Sequence, residues 1–214
     1  MPIDSKIRDK VLTTIASNKN AMIGFLSDLV RIPSVVGKEG KAQDFINKKF
    51  TEMKLNVDAW DPEIAEIKDH PAFFETISFT KHGYKERPNV AGTLKGTSNG
   101  NTLILGGHID VVSPEPIDHW QHDPWGAEIS QGRMYGRGAA DMKGGIAAMI
   151  YAVQTIQQIG IQLKGDVILQ TTIEEEDGGI GGALHSIIRG YTADAIIVPE
   201  PRSGNEIGVG SAGV

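Results

Sequence analysis

The sequence has 214 residues and contains no cysteine. Disulfide bonds, thiolate nucleophiles and cysteine-based zinc sites are therefore excluded, and any metal must be held by His, Asp and Glu. The sequence also lacks an apolar run of membrane-spanning length, and its start, MPIDSKIRDKVL, lacks the basic-then-apolar pattern of a signal peptide. We therefore expect a cytoplasmic protein that does not bind membranes.

Basic residues are also scarce. The chain has 21 Lys and Arg against 27 Asp and Glu, a formal net charge of −6, and no cluster of basic residues that could contact successive phosphates. This composition argues against a nucleic-acid-binding protein. The excess acids either form a solvated surface or converge on cations, and their positions in the chain must distinguish these alternatives.

The hydrophobic pattern predicts strands that alternate with helices. Apolar residues recur at helical spacing in four segments, a short helix is expected at 182–189, and strand patterns occupy five segments. The helical segments are 7–15, 23–30, 42–50 and 142–159, and the strands are 55–60, 89–94, 102–107, 166–173 and 194–198. Residues 61–88 are expected to be irregular, and 113–138 a long loop with a hairpin. This alternation predicts a layered α/β fold with helices on the faces of a sheet.

The first chemical motif is LILGGHIDVV, in which an apolar strand runs through two glycines to His108 and Asp110. A spacing of two places both side chains on the same side of an extended chain. A carboxylate there can accept the second imidazole N–H and determine which ring nitrogen faces a metal. The alternative is a histidine that ends a strand and has no ligand role.

The second motif, MYGRGAADMKGG, places Asp141 where the following helix begins. An aspartate at that position is either a helix N-cap or a carboxylate that offers one oxygen to each of two ions. The glycines could suggest a phosphate-binding loop, but the spacing of a P-loop is absent.

Two acidic segments follow later strands. The four consecutive acids of TTIEEEDGG would repel one another unless cations lie among them, although a solvated loop is the alternative. Glu200 lies between Pro199 and Pro201, directly after a buried strand, so its backbone is stiff and its direction is restricted. Both segments lie near strand ends, where open α/β sheets bind ligands.

Together the segments GGHIDVV, GRGAADMKGG, EEEDGG and VPEP resemble the aminoacylase, acetylornithine deacetylase and succinyl-diaminopimelate desuccinylase family of di-metal hydrolases. LVRIPSVVG and HWQHDPWGAEISQGRMYGRG add to the resemblance, which covers about residues 23–214. The resemblance implies an α/β three-layer sandwich around a central mixed, mostly parallel sheet. It also implies two divalent ions per full-length subunit, with zinc expected and cobalt or manganese as alternatives.

The resemblance also implies a role for each motif residue. His108 and Glu200 bind one ion, Glu176 binds the other, and Asp141 bridges both. Glu175 is the general base that takes a proton from water, and Asp110 orients His108. Glu174 stands where relatives usually carry Asp and is expected to have a supporting role.

Other polar residues are weaker candidates. His119 and His122 are expected to be packing or surface residues, His185 a structural histidine, and His70 a residue that could face substrate. Ser34 and Ser211 have no His/Asp arrangement in sequence that would make them nucleophiles.

Members of the family are usually nearly twice as long. Residues 1–205 are therefore expected to be the N-terminal part of a catalytic domain, and 206–214 the start of the connection to a lid or dimerisation domain. The resemblance implies a homodimeric full-length form and a His ligand of the second ion beyond this sequence. It also implies that an apolar edge and face of the sheet are exposed in this chain.

The sequence is compatible with three functions. The first is hydrolysis of the amide bond in N-acylated amino acids or similar small amides, with acetylornithine, a succinylated diamino acid or a formylated pyrimidine as possible substrates. The second is a catalytically incompetent fragment that binds at most one divalent ion. The third is a scaffold or regulatory protein that retains the fold.

Overall fold

The computed structural model describes residues 4–201. It contains six α-helices, a five-stranded sheet and a two-stranded hairpin within that range. The helices are α1 (Ser5–Val30), α2 (Gly40–Glu52), α3 (Ile64–Ile67), α4 (Ile77–His82), α5 (Gly144–Gln158) and α6 (His185–Ile188). The strands are β1 (Asn56–Trp60), β2 (Asn89–Leu94), β3 (Leu103–His108), β4 (Glu128–Ser130), β5 (Arg133–Tyr135), β6 (Val167–Thr172) and β7 (Ala195–Ile197).

The main sheet has the strand order β1-β2-β6-β3-β7. Strand β2 is antiparallel to both of its neighbours, whereas β6, β3 and β7 are mutually parallel. Four of the five strands therefore run in one direction, and only β2 runs in the other. The predicted mixed, mostly parallel sheet is confirmed.

Helices pack on the faces of this sheet and enclose its core. Successive residues of β6 point to opposite faces, because Leu169 joins the large hydrophobic cluster with α1, α2 and α5, while Ile168 joins a smaller cluster with Trp60 and Ile104. Tyr191 completes the smaller cluster by stacking on Trp60, with ring centroids 5.1 Å apart.

The N-terminal part differs in detail from the sequence pattern. The two helical segments predicted within residues 7–30 form the single helix α1. Its buried residues lie in the second half, whereas Ile7, Leu12 and Ile15 are exposed. The apolar spacing at 7–15 therefore predicted a helix correctly but does not mark a core-facing stripe in the described structure.

The region 61–88 contains the two short helices α3 and α4 within otherwise irregular chain, and the hairpin β4–β5 lies within the long loop as predicted. No helix in residues 4–201 is both long enough and apolar enough to cross a membrane.

The edge strand β7 is poorly covered. It pairs with β3 on one side, and Ile196, Ile197 and Val198 each expose more than half of their surface. The expected exposed apolar edge is therefore confirmed for the described residues.

Candidate metal centre

The candidate residues converge at one edge of the sheet. His108 is the last residue of β3, the acids at 174–177 follow β6, and Glu200 follows β7. Because these three strands are parallel and adjacent, their C-terminal ends meet at the same edge. Asp141 reaches this edge from the extended stretch before α5, where its backbone is non-helical.

The imidazole of His108 lies at the centre of this group and is buried. Its Nδ1 lies 2.8 Å from the backbone oxygen of Asp110, which can only accept a hydrogen bond, so Nδ1 carries the proton. The other nitrogen, Nε2, faces three carboxylate oxygens at 3.2 Å (Asp141), 3.4 Å (Glu200) and 3.7 Å (Glu175). Nε2 therefore points into the acidic cluster.

The buried side chain of Asp110 makes a different contact from the one considered from the sequence. Its Oδ1 lies 3.7 Å from Nδ1 of His108, and it is the backbone oxygen that accepts the histidine proton. The two carboxylate oxygens instead accept hydrogen bonds from the backbone N–H groups of Glu175 and Glu176, at 3.1 and 3.0 Å. Asp110 thus contacts both His108 and the acidic turn.

The four consecutive acids do not act alike. Glu174 is fully buried and its carboxylate is bound by protein donors, while Asp177 accepts a hydrogen bond from the backbone N–H of Ser78 at 2.6 Å. The side chain of Glu175 is 54% exposed at the candidate site, and Glu176 is half-buried. Two of the four acids are therefore held by protein hydrogen-bond donors, whereas Glu175 and Glu176 remain accessible at the candidate site.

Asp141 is not a helix N-cap. The residue that precedes α5 is Lys143, and no side chain caps that end of the helix. The Asp141 carboxylate is instead 55% exposed and approaches Nε2 of His108. The capping alternative considered for this residue is therefore wrong.

Burial and neighbouring charges shift the pKa values of the side chains in this cluster. Burial raises the pKa of Asp110 to about 7, although the adjacent His108 opposes this shift. Burial and the charge of Asp141 raise the pKa of Glu176, and the same two causes raise that of Glu200 against the effect of His108. Burial alone would lower the pKa of His108, but the neighbouring carboxylates outweigh it and raise that pKa. The site therefore favours added positive charge.

The donor set fits a divalent ion. One ligand atom each of His108, Asp141 and Glu176 lie within 4.8 Å of one another. Imidazole nitrogen and carboxylate oxygen are ligands of zinc, cobalt and manganese, and an Nδ1–H group that donates to a carbonyl is common among metal-ligating histidines. The described residues thus include a possible metal site.

Two of the other histidines lie in the long loop, away from this group. His119 is exposed, and His122 stacks on Tyr135 with ring centroids 4.0 Å apart while its Nδ1 lies 2.9 Å from Glu128. Their predicted packing or surface character is confirmed. His70 is exposed and accepts a hydrogen bond from its own loop, at the Ala72 N–H.

His185 is a buried structural histidine, as predicted. Its Nδ1 accepts a hydrogen bond from the indole N–H of Trp60 at 3.1 Å, and its Nε2 lies 3.0 Å from the carboxylate of Glu66. Ser34 is also buried, and its hydroxyl donates to the backbone oxygen of Ile109. Ser211 lies outside the described residues, as does the predicted connection at 206–214.

The sequence pattern did not predict two buried charged groups that lie near the site. Glu39 and Arg87 form a buried ion pair with two contacts of 2.8 Å, although Arg87 precedes a proline in a segment that was predicted to be irregular. Lys143, two residues after Asp141, is fully buried and donates to the backbone oxygens of Leu29 and Ile32. Burial lowers the pKa of Lys143 to about 7. Charged side chains are usually exposed, so the sequence did not indicate that Glu39, Arg87 or Lys143 is buried.

The sequence is similar to two curated bacterial enzymes. It is 34% identical over 197 residues to N-formyl-4-amino-5-aminomethyl-2-methylpyrimidine deformylase from Halalkalibacterium halodurans, a match that covers 90% of this chain and 41% of that protein. It is 32% identical over 194 residues to succinyl-diaminopimelate desuccinylase from Methylobacterium radiotolerans, which covers 88% and 44% respectively. The chain therefore spans less than half the length of either relative.

A solved structure and a family profile agree with this similarity. The structure of an M20 family metallo-carboxypeptidase from Sulfolobus solfataricus matches with a TM-score of 0.64 and 23% identity, over 83% of this chain and 37% of that chain. This match supports the predicted fold class. Residues 104–212 match the profile of peptidase family M20/M25/M40, and this range includes all four motif segments on which the resemblance was based. The resemblance is thus confirmed, and the chain belongs to peptidase family M20/M25/M40.

Proposed function

We propose that this chain, over residues 1–205, is the N-terminal part of the catalytic domain of a metal-dependent hydrolase. The proposed substrates are N-acylated amino acids or related small amides, whose amide bond is cleaved. The observation that carries this proposal is the position of Nε2 of the buried His108, with carboxylate oxygens of Asp141, Glu200 and Glu175 at 3.2–3.7 Å.

His108, Asp141 and Glu200 would hold one ion, and Asp141 and Glu176 would contribute to a second. Zinc is the first choice, and cobalt or manganese would suit the same donors. When bound, such ions polarise the scissile carbonyl and make a water molecule a much stronger acid.

The residues of the chain divide the remaining tasks. Glu175 would accept a proton from the attacking water and return it to the nitrogen of the leaving amine as the C–N bond breaks. Proton transfer by a positioned side chain typically contributes about 100- to 10,000-fold in rate. The backbone oxygen of Asp110 keeps the proton of His108 on Nδ1, so that Nε2 stays available as a ligand.

The names of the relatives support the substrate class. A deformylase and a desuccinylase both remove an acyl group from an amine, although the acyl groups differ in size and charge. We therefore propose a small N-acylated amine as substrate, with the acyl group left open between formyl, acetyl and succinyl. A homodimeric full-length form remains a prediction.

A second candidate is that this chain alone binds one ion without turnover. The cluster of His108, Asp141 and Glu176 favours this alternative, because a single ion could use all three residues. The chain also spans less than half of its curated relatives.

One experiment separates the two candidates. The purified chain is loaded with Zn²⁺, Co²⁺ or Mn²⁺, its ion stoichiometry is measured, and release of amine is followed from N-formyl, N-acetyl and N-succinyl amino compounds. Turnover that disappears in Glu175→Gln supports the hydrolase, whereas ion binding without turnover supports the second candidate. A chain that binds no ion would contradict both.

A further inference from the structure

The carboxylate of Glu174 accepts four hydrogen bonds from other groups of the protein. One oxygen accepts hydrogen bonds from the hydroxyl groups of Thr76 (2.5 Å) and Ser78, and the other accepts from the hydroxyl of Tyr84 (2.9 Å) and the N–H of Gly181 (2.8 Å). A carboxylate offers about four acceptor positions, so Glu174 has none left for a metal ion. Its function must therefore be exerted through its neighbours.

Three of these donors come from one segment, residues 76–87, which is distant in sequence from the acidic turn. This segment is itself fixed by Arg87, whose guanidinium pairs with the buried Glu39, donates to the oxygen of Gly83 at 2.6 Å and lies 3.3 Å from the hydroxyl of Ser78. A buried ion pair with this number of hydrogen bonds holds its segment in one arrangement.

The acidic turn is thereby held from two sides. The segment 76–87 binds Glu174 and, through the N–H of Ser78, also Asp177. On the other side, Asp110 binds the backbone N–H groups of Glu175 and Glu176. Glu174 itself has φ of 65° and ψ of 18°, a conformation that residues with a side chain rarely adopt. The turn that carries Glu175 and Glu176 is thus hydrogen-bonded on both sides.

We propose that Thr76, Ser78 and Tyr84 are positioning residues for the candidate site, and that they act through Glu174 to direct Glu175 and Glu176. This inference rests on the proposed function, because it assigns a task to the contacts of the proposed base and metal ligand. Removal of a residue that orients a metal ligand through hydrogen bonds typically lowers metal affinity or activity by about 10- to 100-fold.

Binding of Co²⁺ tests the inference, because its visible absorption reports ligand geometry as well as occupancy. Tyr84→Phe removes one hydroxyl that donates to Glu174, and Tyr191→Phe is the matched control, since Tyr191 donates to the carboxylate of Asp58 at 2.8 Å, away from the site. Thr76→Val and Thr76→Ser form a second pair, in which only the serine keeps the hydroxyl. Circular dichroism establishes that each variant is folded.

We expect about 10-fold weaker Co²⁺ binding and an altered visible spectrum in Tyr84→Phe and Thr76→Val, and wild-type values for both measurements in Tyr191→Phe and Thr76→Ser. Wild-type affinity and spectrum in Tyr84→Phe and Thr76→Val would overturn the inference while leaving the proposed function intact. Absence of Co²⁺ binding by the wild-type chain would overturn the proposed function, and the inference with it.

Discussion

Nε2 of His108 lies 3.2 Å from Oδ1 of Asp141, although the two residues are 33 positions apart and belong to different elements. His108 ends a central strand and is buried, whereas the side chain of Asp141 is 55% exposed. The buried imidazole nitrogen therefore faces a carboxylate that is in contact with solvent. This pair is the geometric basis of the proposed metal centre.

Divalent ions should stabilise the folded chain. An ion that binds only the folded state at 100 times its dissociation constant adds about 2.7 kcal/mol to the free energy of unfolding. For a chain of this size, that corresponds to roughly 5–10 °C in melting temperature. Differential scanning fluorimetry with Zn²⁺, Co²⁺, Mn²⁺ and a chelator measures the effect. His108→Ala should abolish most of it, and an unchanged melting temperature across all ions would count against the site.

Glu175→Gln should separate ion binding from catalysis. The substitution keeps the size of the side chain but removes the proton acceptor, so we expect ion affinity within about threefold of wild type and a rate lower by about 100- to 10,000-fold. Titration calorimetry and amine release measure the two quantities. Glu63→Gln is the control, since Glu63 lies beside His185 rather than in the cluster. Full activity in Glu175→Gln would remove Glu175 from the mechanism.

Arg87→Met should destabilise the chain strongly. The substitution leaves Glu39 buried without its partner, which typically costs about 3–5 kcal/mol. Arg189→Met is the matched control, because the pair of Arg189 with Asp58 is more than one third exposed and should contribute about 0–1 kcal/mol. Urea unfolding measures both free energies. Equal losses in the two variants would show that burial of the Glu39 pair carries no special cost.

The stability of the chain should depend on pH through His185. Burial lowers the pKa of this histidine, with Arg189 adding to the effect and Glu66 opposing it. Below a pH of about 6.5, His185 binds a proton more readily in the unfolded chain than in the folded chain. The free energy of unfolding therefore decreases as the pH falls below that value.

His185→Leu should reduce this acid sensitivity, at the cost of an unpaired Trp60 indole N–H. Urea unfolding at several pH values between 5 and 8 measures the difference from wild type, with the loop variant His122→Gln as the control. A pH dependence in His185→Leu identical to that of wild type would contradict the assignment.

The exposed strand edge should promote self-association. Ile196 and Ile197 expose more than half of their surface on β7, and an uncovered apolar edge pairs readily with another chain. Sedimentation of the purified chain at increasing concentration should reveal oligomers, and Ile197→Lys should shift the distribution toward monomer. A monodisperse wild-type chain at high concentration would argue against this expectation.

Much of the fold was predictable because it follows apolar periodicity. The strands at 89–94 and 102–107 agree with β2 and β3 to within one residue. His108 ends β3, the acids at 174–177 follow β6 and Glu200 follows β7, as the sequence pattern indicated. Local spacing suffices for these features, since a strand that is covered on both faces of the sheet carries a nearly continuous apolar run.

The contacts of the acidic turn could not be predicted in the same way. Thr76 and Glu174 are 98 residues apart, and neither the hydroxyl groups of residues 76–84 nor the buried Arg87 follows a pattern that indicates burial. The sequence also could not distinguish the carboxylate of Asp110 from its backbone oxygen as the partner of His108. Such polar contacts depend on tertiary placement rather than on local periodicity.

The most direct test of the metal centre is a crystal structure of the chain grown with Zn²⁺ and measured at the zinc absorption edge. We predict an anomalous peak within about 2.0–2.2 Å of Nε2 of His108 and of a carboxylate oxygen of Asp141. The absence of a peak at these two residues in crystals with zinc bound elsewhere would contradict it.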